Sequence, residues 1–94
     1  MKTKTKKAGR VLVVGAKVLI RTVTSYHVGE VTFMDREAVV LKDAAWVADT
    51  GRFHDAVKNK TLKEVEPFVD PVEVFRASIV DVTTWGGTLP MAQK

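Results

Sequence analysis

The chain of 94 residues contains no cysteine, which excludes a disulfide framework, a thiolate zinc site and a cysteine nucleophile. Its two histidines, His27 and His54, do not stand at the spacing of a histidine metal pair. The sequence also lacks a phosphate-binding glycine loop and the glycine-flanked serine of a nucleophile elbow. We therefore predict a protein that is not an enzyme and that holds no metal or cofactor.

Long hydrophobic runs are missing as well. No apolar run approaches the roughly 20 residues that a helix needs to cross a bilayer. The basic start of the chain is followed only by Val-Leu-Val-Val-Gly before Lys17, which is too short for the core of a signal peptide. These absences predict a soluble protein without a membrane partner.

The net charge of +4 is concentrated at the start of the chain. Six basic residues lie in the first 17 positions, and the remaining body is close to neutral or slightly acidic. We predict a flexible basic arm over residues 1–10, which is either a solvated tail or a contact for phosphate or an acidic partner. The six residues are Lys2, Lys4, Lys6, Lys7, Arg10 and Lys17.

Residues 18–44 predict a bent, three-stranded antiparallel sheet around which the chain is organised. Apolar and polar residues alternate there, and β-branched residues dominate, as is typical of strands. Turns are expected at residues 25–27 and 35–37, and Gly29 allows the second strand to bend or another backbone to approach. The third strand is predicted over residues 38–42.

An insertion of about residues 44–70 is predicted to follow this sheet. It contains one short helix near residues 52–58, because Asp49-Thr50-Gly51 is a helix-start signal and apolar residues then recur at helical spacing. The same tripeptide matches the active site of dimeric aspartic proteases. However, Arg52 would keep a nearby carboxylate ionised and prevent proton sharing, so helix capping is the preferred interpretation.

The end of the chain predicts the strands that complete the sheet. An edge strand is expected at residues 64–68, since proline tolerates only an edge position, and two alternating strands are expected at residues 72–75 and 79–82. A single domain should therefore span residues 11–85. Residues 86–94 are predicted to form a C-terminal tail, in which two glycines break regular structure and residues 88–94 are exposed.

Two parts of this pattern resemble the Sm-like family. Gly29, Asp35 and Val39-Val40-Leu41 stand where its first motif has a strand glycine, an acidic turn residue and an apolar third strand. Residues 72–80 resemble the second motif, with the aromatic-basic-x-x-Ile pattern at residues 75–79. The resemblance implies a mainly β fold: a small, bent, five-stranded SH3/Sm-like barrel, here with one short helix in an insertion.

The Sm-like resemblance also implies an assembly and a ligand. In that family the fourth strand of one subunit pairs with the fifth strand of the next to close a ring, and these strands would be residues 72–77 and 79–83. RNA in such rings lies against the loop after the second strand and the turn between the last two strands. Here these are residues 35–37 together with Phe75, Arg76 and Ser78.

A second resemblance, to a group of short phage and prophage proteins of unassigned role, covers most of the chain. It is carried by residues 18–24, 46–53 and 64–68, and by Trp85 with Leu89-Pro90. It implies a phage-type accessory or virion protein, located in the cytoplasm of the host cell or in the virion.

Basic and aromatic residues are the candidate ligand contacts, because arginine binds phosphate and aromatic rings stack on bases. The first hypothesis is an oligomeric module that binds RNA or a nucleotide-type anion, for example to sequester a host signalling nucleotide. The alternative is a virion structural or cementing protein whose basic arm docks on neighbouring subunits. Simpler roles are core or interface packing for the aromatic residues and an ion pair with Asp49 or Asp55 for Arg52. The candidates are Arg21, Tyr26, Arg36, Trp46, Arg52, Phe75 and Arg76.

Overall fold

A computed structural model describes residues 9–94. Most of the predicted arm, residues 1–8, lies outside the described residues. The part of the chain that is described contains six strands, one α-helix and one 3-10 turn. These are β1 (Lys17–Thr22), β2 (Tyr26–Met34), β3 (Ala38–Asp49), α1 (Phe53–Asn59), β4 (Glu64–Pro67), β5 (Val72–Phe75), the 3-10 turn Arg76–Ser78, and β6 (Ile79–Thr84).

The strands form one antiparallel sheet in the order β4-β3-β2-β1-β6, and β5 also pairs with β3. Strand β3 pairs with β2 along one side, while its other side takes β5 in its first half and β4 in its second half. The prediction of a mainly β fold with one short helix is confirmed. Among residues 9–94 no ladder joins β6 to β5 or β4, so the hydrogen-bonded sheet stays open and has six strands where the barrel was expected to have five.

Strand β3 is longer than predicted. The expected strand ended at Lys42, but β3 continues to Asp49, so Trp46 and Val47 belong to the sheet and not to an inserted loop. Asp43 explains the error, because it adopts a left-handed backbone (φ 49°) and locally breaks the alternation. The period-two pattern resumes beyond it, with Val47 buried and its neighbours more exposed.

Gly29 allows β2 and β3 to approach closely beside this irregularity. A Cβ atom added at Gly29 would lie 3.0 Å from the Cβ atoms of both Leu41 and Ala44. The β2–β3 register shifts between Val28 and Glu30, on either side of the glycine. Gly29 therefore permits close approach of another backbone, as the sequence predicts.

Hydrophobic residues pack on both faces of the sheet, and β1 contributes to both. Leu19 points to a cluster that includes helix α1, while Val18 and Ile20 point to a cluster that includes β5. Because both faces of β1 are covered, its apolar run is almost continuous. The first cluster contains Leu19, Val28, Ala45, Val47, Ala56, Leu62, Val65, Trp85 and Leu89. The second contains Val18, Ile20, Val31, Val39, Leu41, Ala44 and Val74.

Part of the C-terminal tail packs against the sheet, although most residues of the tail are exposed, as predicted. Leu89 is 8% exposed and belongs to the first hydrophobic cluster. The backbone of Lys94 exchanges two hydrogen bonds with Val65 of β4, at 2.8 and 3.1 Å. An isolated leucine between glycines and a proline has no periodicity, so the sequence pattern could not reveal this packing.

Helix α1 lies within one residue of its predicted position, but its predicted cap is wrong. Arg52 is the residue before the helix, and no side chain among residues 9–94 caps the helix. The Asp49 carboxylate instead accepts a 2.8 Å hydrogen bond from the backbone N–H of Gly51, whose φ is +73°. The tripeptide 49–51 therefore makes the turn out of β3, and Lys60 ends the helix in a left-handed conformation.

Candidate ligand-binding surface

The seven predicted ligand contacts lie in three places. Arg36, Phe75 and Arg76 come together where the β2–β3 turn meets the end of β5. Arg21, Tyr26 and Trp46 lie around the β1–β2 turn, and Arg52 stands apart before helix α1. We call the first place the turn surface and define it as Asp35, Arg36, Glu37, Phe75 and Arg76.

Arg76 is tied to the β2–β3 turn at two points. Its side-chain Nε donates to the backbone carbonyl oxygen of Asp35, and its backbone N–H donates to the carbonyl oxygen of Glu37 at 2.8 Å. Its terminal guanidinium nitrogens have no hydrogen-bond partner within residues 9–94. Arg36 and Arg76 line the same open depression together with Asp35, so two arginines lie at one patch of the surface.

The Asp35 carboxylate is occupied by the turn. It accepts hydrogen bonds from the backbone N–H groups of Glu37 (2.8 Å) and Ala38 (2.9 Å). These two bonds, together with the nearby positive charge of Arg76, lower the pKa of Asp35 below its ordinary value. The carboxylate is thus ionised at neutral pH and directed to backbone donors, which leaves the terminal guanidinium nitrogens of Arg76 to a ligand.

Exposed aromatic rings accompany these arginines. Phe75 is 61% exposed and lies opposite Ala38 in the ladder between β3 and β5. Phe33 is 54% exposed and lies opposite Val40, in the ladder between β3 and β2. Because positions 38 and 40 of β3 point to the same face of the sheet, both rings lie on that face. Sequence reasoning missed Phe33, since the alternation in β2 does not show which side remains uncovered.

At the β1–β2 turn, the arginine and one aromatic ring already have partners. The Arg21 guanidinium forms a two-point ion pair with the Asp81 carboxylate, and this contact raises the pKa of Arg21. Tyr26 is half-buried and stacks on Phe53, with ring centroids 5.8 Å apart. Tyr26 therefore has a packing role, and the charge of Arg21 is already paired with Asp81.

Trp46 lines a cleft of about 300 Å³ together with residues 21–26, 47 and 48. Trp46 is 42% exposed, which leaves part of it accessible to a ligand in this cleft. Among the described residues, the turn surface offers exposed arginine and aromatic groups together, whereas the Trp46 cleft offers the indole beside an arginine that is already paired.

Arg52 is exposed, and its side chain makes no ion pair with Asp49 or Asp55 within residues 9–94. The expected salt bridge is therefore wrong. Arg52 is also brought together with none of the other candidates, and the seven-residue helix behind it begins without a side-chain cap.

His27 packs against an aromatic ring, and His54 lies at the surface. His27 is half-buried, burial lowers its pKa, and its ring stacks on Phe68 with centroids 5.9 Å apart. His54 is exposed at the start of helix α1.

In the described part of the chain no three potential metal ligands lie together, and no helix is long and apolar enough to cross a membrane. A comparison with protein-family models, curated proteins and solved structures finds no match for this chain.

Proposed function

We propose that this protein is a non-enzymatic binding module that takes RNA or a nucleotide-type anion at the turn surface. The observation that carries the proposal is the attachment of Arg76 to the β2–β3 turn, which brings Arg76 to the depression that Arg36 also lines, next in sequence to the exposed Phe75. Guanidinium groups bind phosphate oxygens in a two-point geometry. An exposed ring offers a stacking platform to an unpaired base.

The positions of these residues support a single-stranded ligand or a free nucleotide. Stacking on Phe75 requires a base face that is not covered by a neighbouring base, and single strands and nucleotides have such faces. The turn surface also corresponds to the two loops at which the Sm-like resemblance implies RNA contact. We include in the proposal an Sm-like arrangement of β1, β2, β3, β5 and β6, and a phage-type accessory role in which a host signalling nucleotide is sequestered.

Titration of a short, fluorescein-labelled single-stranded RNA, with cyclic nucleotides as competitors, tests this function. Arg36→Ala and Arg76→Ala should each weaken binding by about 10-fold, the effect of losing one hydrogen bond to a charged group. Arg52→Ala is the matched control, because Arg52, like Arg36, is an exposed arginine without an ion pair among the described residues. Equal losses in all three variants, or no binding by the wild type, would refute the turn surface as the binding site.

A virion structural or cementing protein is the second candidate function. The observation that favours it is β6, an edge strand with an exposed apolar residue, Val80. Native mass spectrometry of protein purified from cells separates the two functions. A co-purifying RNA or nucleotide supports the binding module, whereas a ligand-free protein that also sediments with assembled particles supports the structural role.

A further inference from the structure

Strand β6 lies at a border of the sheet with one edge free. It pairs with β1 on one side, and among the described strands it has no partner on the other. At the opposite border of the sheet, the edge of β4 is partly covered, because Lys94 forms two backbone hydrogen bonds with Val65. Unpaired edges template the addition of another strand unless charge, proline or a covering segment protects them.

The composition of β6 does not protect it. The strand Ile79–Thr84 consists of β-branched residues and a single aspartate, without lysine, proline or glycine. That aspartate, Asp81, is neutralised within the chain by Arg21. Val80 is 56% exposed. The free edge is therefore rich in β-branched residues and its one charge is paired, which suits another strand of the same kind.

The backbone geometry limits how a second strand can pair. Trp85 donates its N–H to Lys17 of β1, so by alternation the backbone groups of Thr84 and Val82 point away from β1. Val80 would be the next residue to point away from β1, but it lies in a bulge and cannot join a regular ladder. Val82 and Thr84 are thus the residues that can bond to a neighbouring strand.

We propose that a second copy of this chain pairs with this edge, β6 against β6, in an antiparallel ladder whose two-fold axis passes Thr83. In this register Val82 of each copy bonds to Thr84 of the other, so every outward-facing residue of the regular segment has a partner. Thr83 faces its own counterpart in a non-hydrogen-bonded pair, with Cβ atoms about 5 Å apart. Asp81 lies opposite Trp85 of the other copy, so no carboxylate faces a carboxylate. The same patch serves both subunits, as a two-fold interface requires.

A cleft beside β6 adds apolar area to this interface. It has a volume of about 270 Å³, lies between β6 and helix α1, and is lined by residues that include Tyr26, Phe53, Val57 and Thr83. A strand added at the free edge of β6 lies next to this cleft, because Asp81, Val82 and Thr83 form part of its lining. The interface does not depend on the anion proposed for the turn surface.

Disulfide cross-linking tests the register directly, because the native chain contains no cysteine. Thr83→Cys should form a disulfide-linked dimer on mild oxidation at least about 10-fold faster than Thr24→Cys, since paired thiols react at a high effective concentration. Thr24 is the matched control, being an exposed threonine in the β1–β2 turn. Equal rates in the two variants would overturn the proposal. A larger oligomer without Thr83 cross-links, such as a ring built from β6 and β5, would also overturn it.

A second pair of variants tests the hydrogen bonds. Thr84→Pro removes an N–H that points away from β1, whereas Thr84→Ala retains it. In sedimentation at several concentrations, we expect a dimer that dissociates on dilution for the wild type and Thr84→Ala, and a monomer for Thr84→Pro. A Thr84→Pro variant that dimerises like Thr84→Ala would contradict the ladder, and the cross-linking comparison still decides if Thr84→Pro does not fold.

Discussion

Arg76 donates its side-chain Nε to the backbone carbonyl oxygen of Asp35, across 41 positions of sequence. The bond attaches the 3-10 turn before β6 to the turn between β2 and β3. A second bond, from the backbone N–H of Arg76 to the carbonyl oxygen of Glu37, holds the same junction at 2.8 Å. The guanidinium is therefore positioned before any ligand arrives, which lowers the entropy lost on binding.

The charge of Asp35 should make this junction sensitive to acid. Backbone N–H donors and Arg76 lower the pKa of Asp35 in the folded state, so its stabilising contribution is complete above the unfolded pKa, about 4. It is lost as the pH falls through the lower, folded pKa. Asp35→Asn keeps an oxygen acceptor but has no charge to lose.

We therefore expect the wild type to be more stable than Asp35→Asn at pH 6, and the difference to shrink on acidification below about pH 4. Urea unfolding of both proteins across this range measures the effect. Parallel stability curves would contradict the assigned role of the carboxylate.

Gly29 should tolerate no side chain. Gly29→Ala places a Cβ atom 3.0 Å from two Cβ atoms, those of Leu41 and Ala44, and neither can move without its backbone. We expect a loss of about 1–3 kcal/mol in the free energy of unfolding, as for other overpacked sites.

Gly86→Ala is the matched control for this substitution. Its new Cβ atom would also lie 3.0 Å from a neighbour, but that neighbour is the Cε atom of Lys60, near the end of a flexible side chain. Urea unfolding should show a much smaller loss for Gly86→Ala. Equal losses in the two variants would mean that the rigidity of the neighbouring atoms does not determine the loss of stability.

The strands could be predicted from the sequence where alternation is regular. Val72–Phe75 matches β5 residue for residue, and the predicted third strand begins at Ala38, as β3 does. The prediction failed where a single backbone conformation interrupts the pattern. Asp43, at positive φ, hides the continuation of β3 to Asp49.

The candidate site was less accessible to sequence reasoning, because its contacts join distant positions. Alternation does not place Arg76 against Asp35, and the resemblance to the Sm-like family suggested that proximity. Nothing in the pattern pairs Arg21 with Asp81, which stands 60 positions away and neutralises a predicted anion contact. Side-chain partners of this kind depend on strand order, which local periodicity does not encode.

The two tryptophans should differ in their contribution to stability. Trp85 is 2% exposed, and its indole N–H donates to the carbonyl oxygen of Thr88 at 3.2 Å. Trp85→Ala should cost about 3–5 kcal/mol because it empties a core position and removes this bond. Trp46→Ala, at a half-exposed position, should cost about 1 kcal/mol. Thermal unfolding of both variants gives the comparison, and a larger loss for Trp46→Ala would contradict the assigned burial.

His27 provides a separate pH dependence, at higher pH than Asp35. Burial lowers the pKa of His27 in the folded state, so between the folded and unfolded pKa values the unfolded chain binds more protons. The stability of the wild type should therefore fall as the pH decreases from about 7.5 through the unfolded value of about 6.5. Because the aromatic ring of Phe can keep the stack on Phe68, His27→Phe removes the titration and retains the packing.

Urea unfolding of the wild type and His27→Phe between about pH 7.5 and 5 measures this dependence. The wild type should lose stability relative to the variant as the pH falls, and the loss should level off once the folded histidine is itself protonated. Below that point His27 is protonated in both the folded and the unfolded protein. Further acid then changes the free energy of unfolding only through the carboxylates. A wild type that gains stability relative to His27→Phe on acidification would show that protonated His27 finds a partner in the folded protein. That result would contradict burial as the dominant influence on this residue.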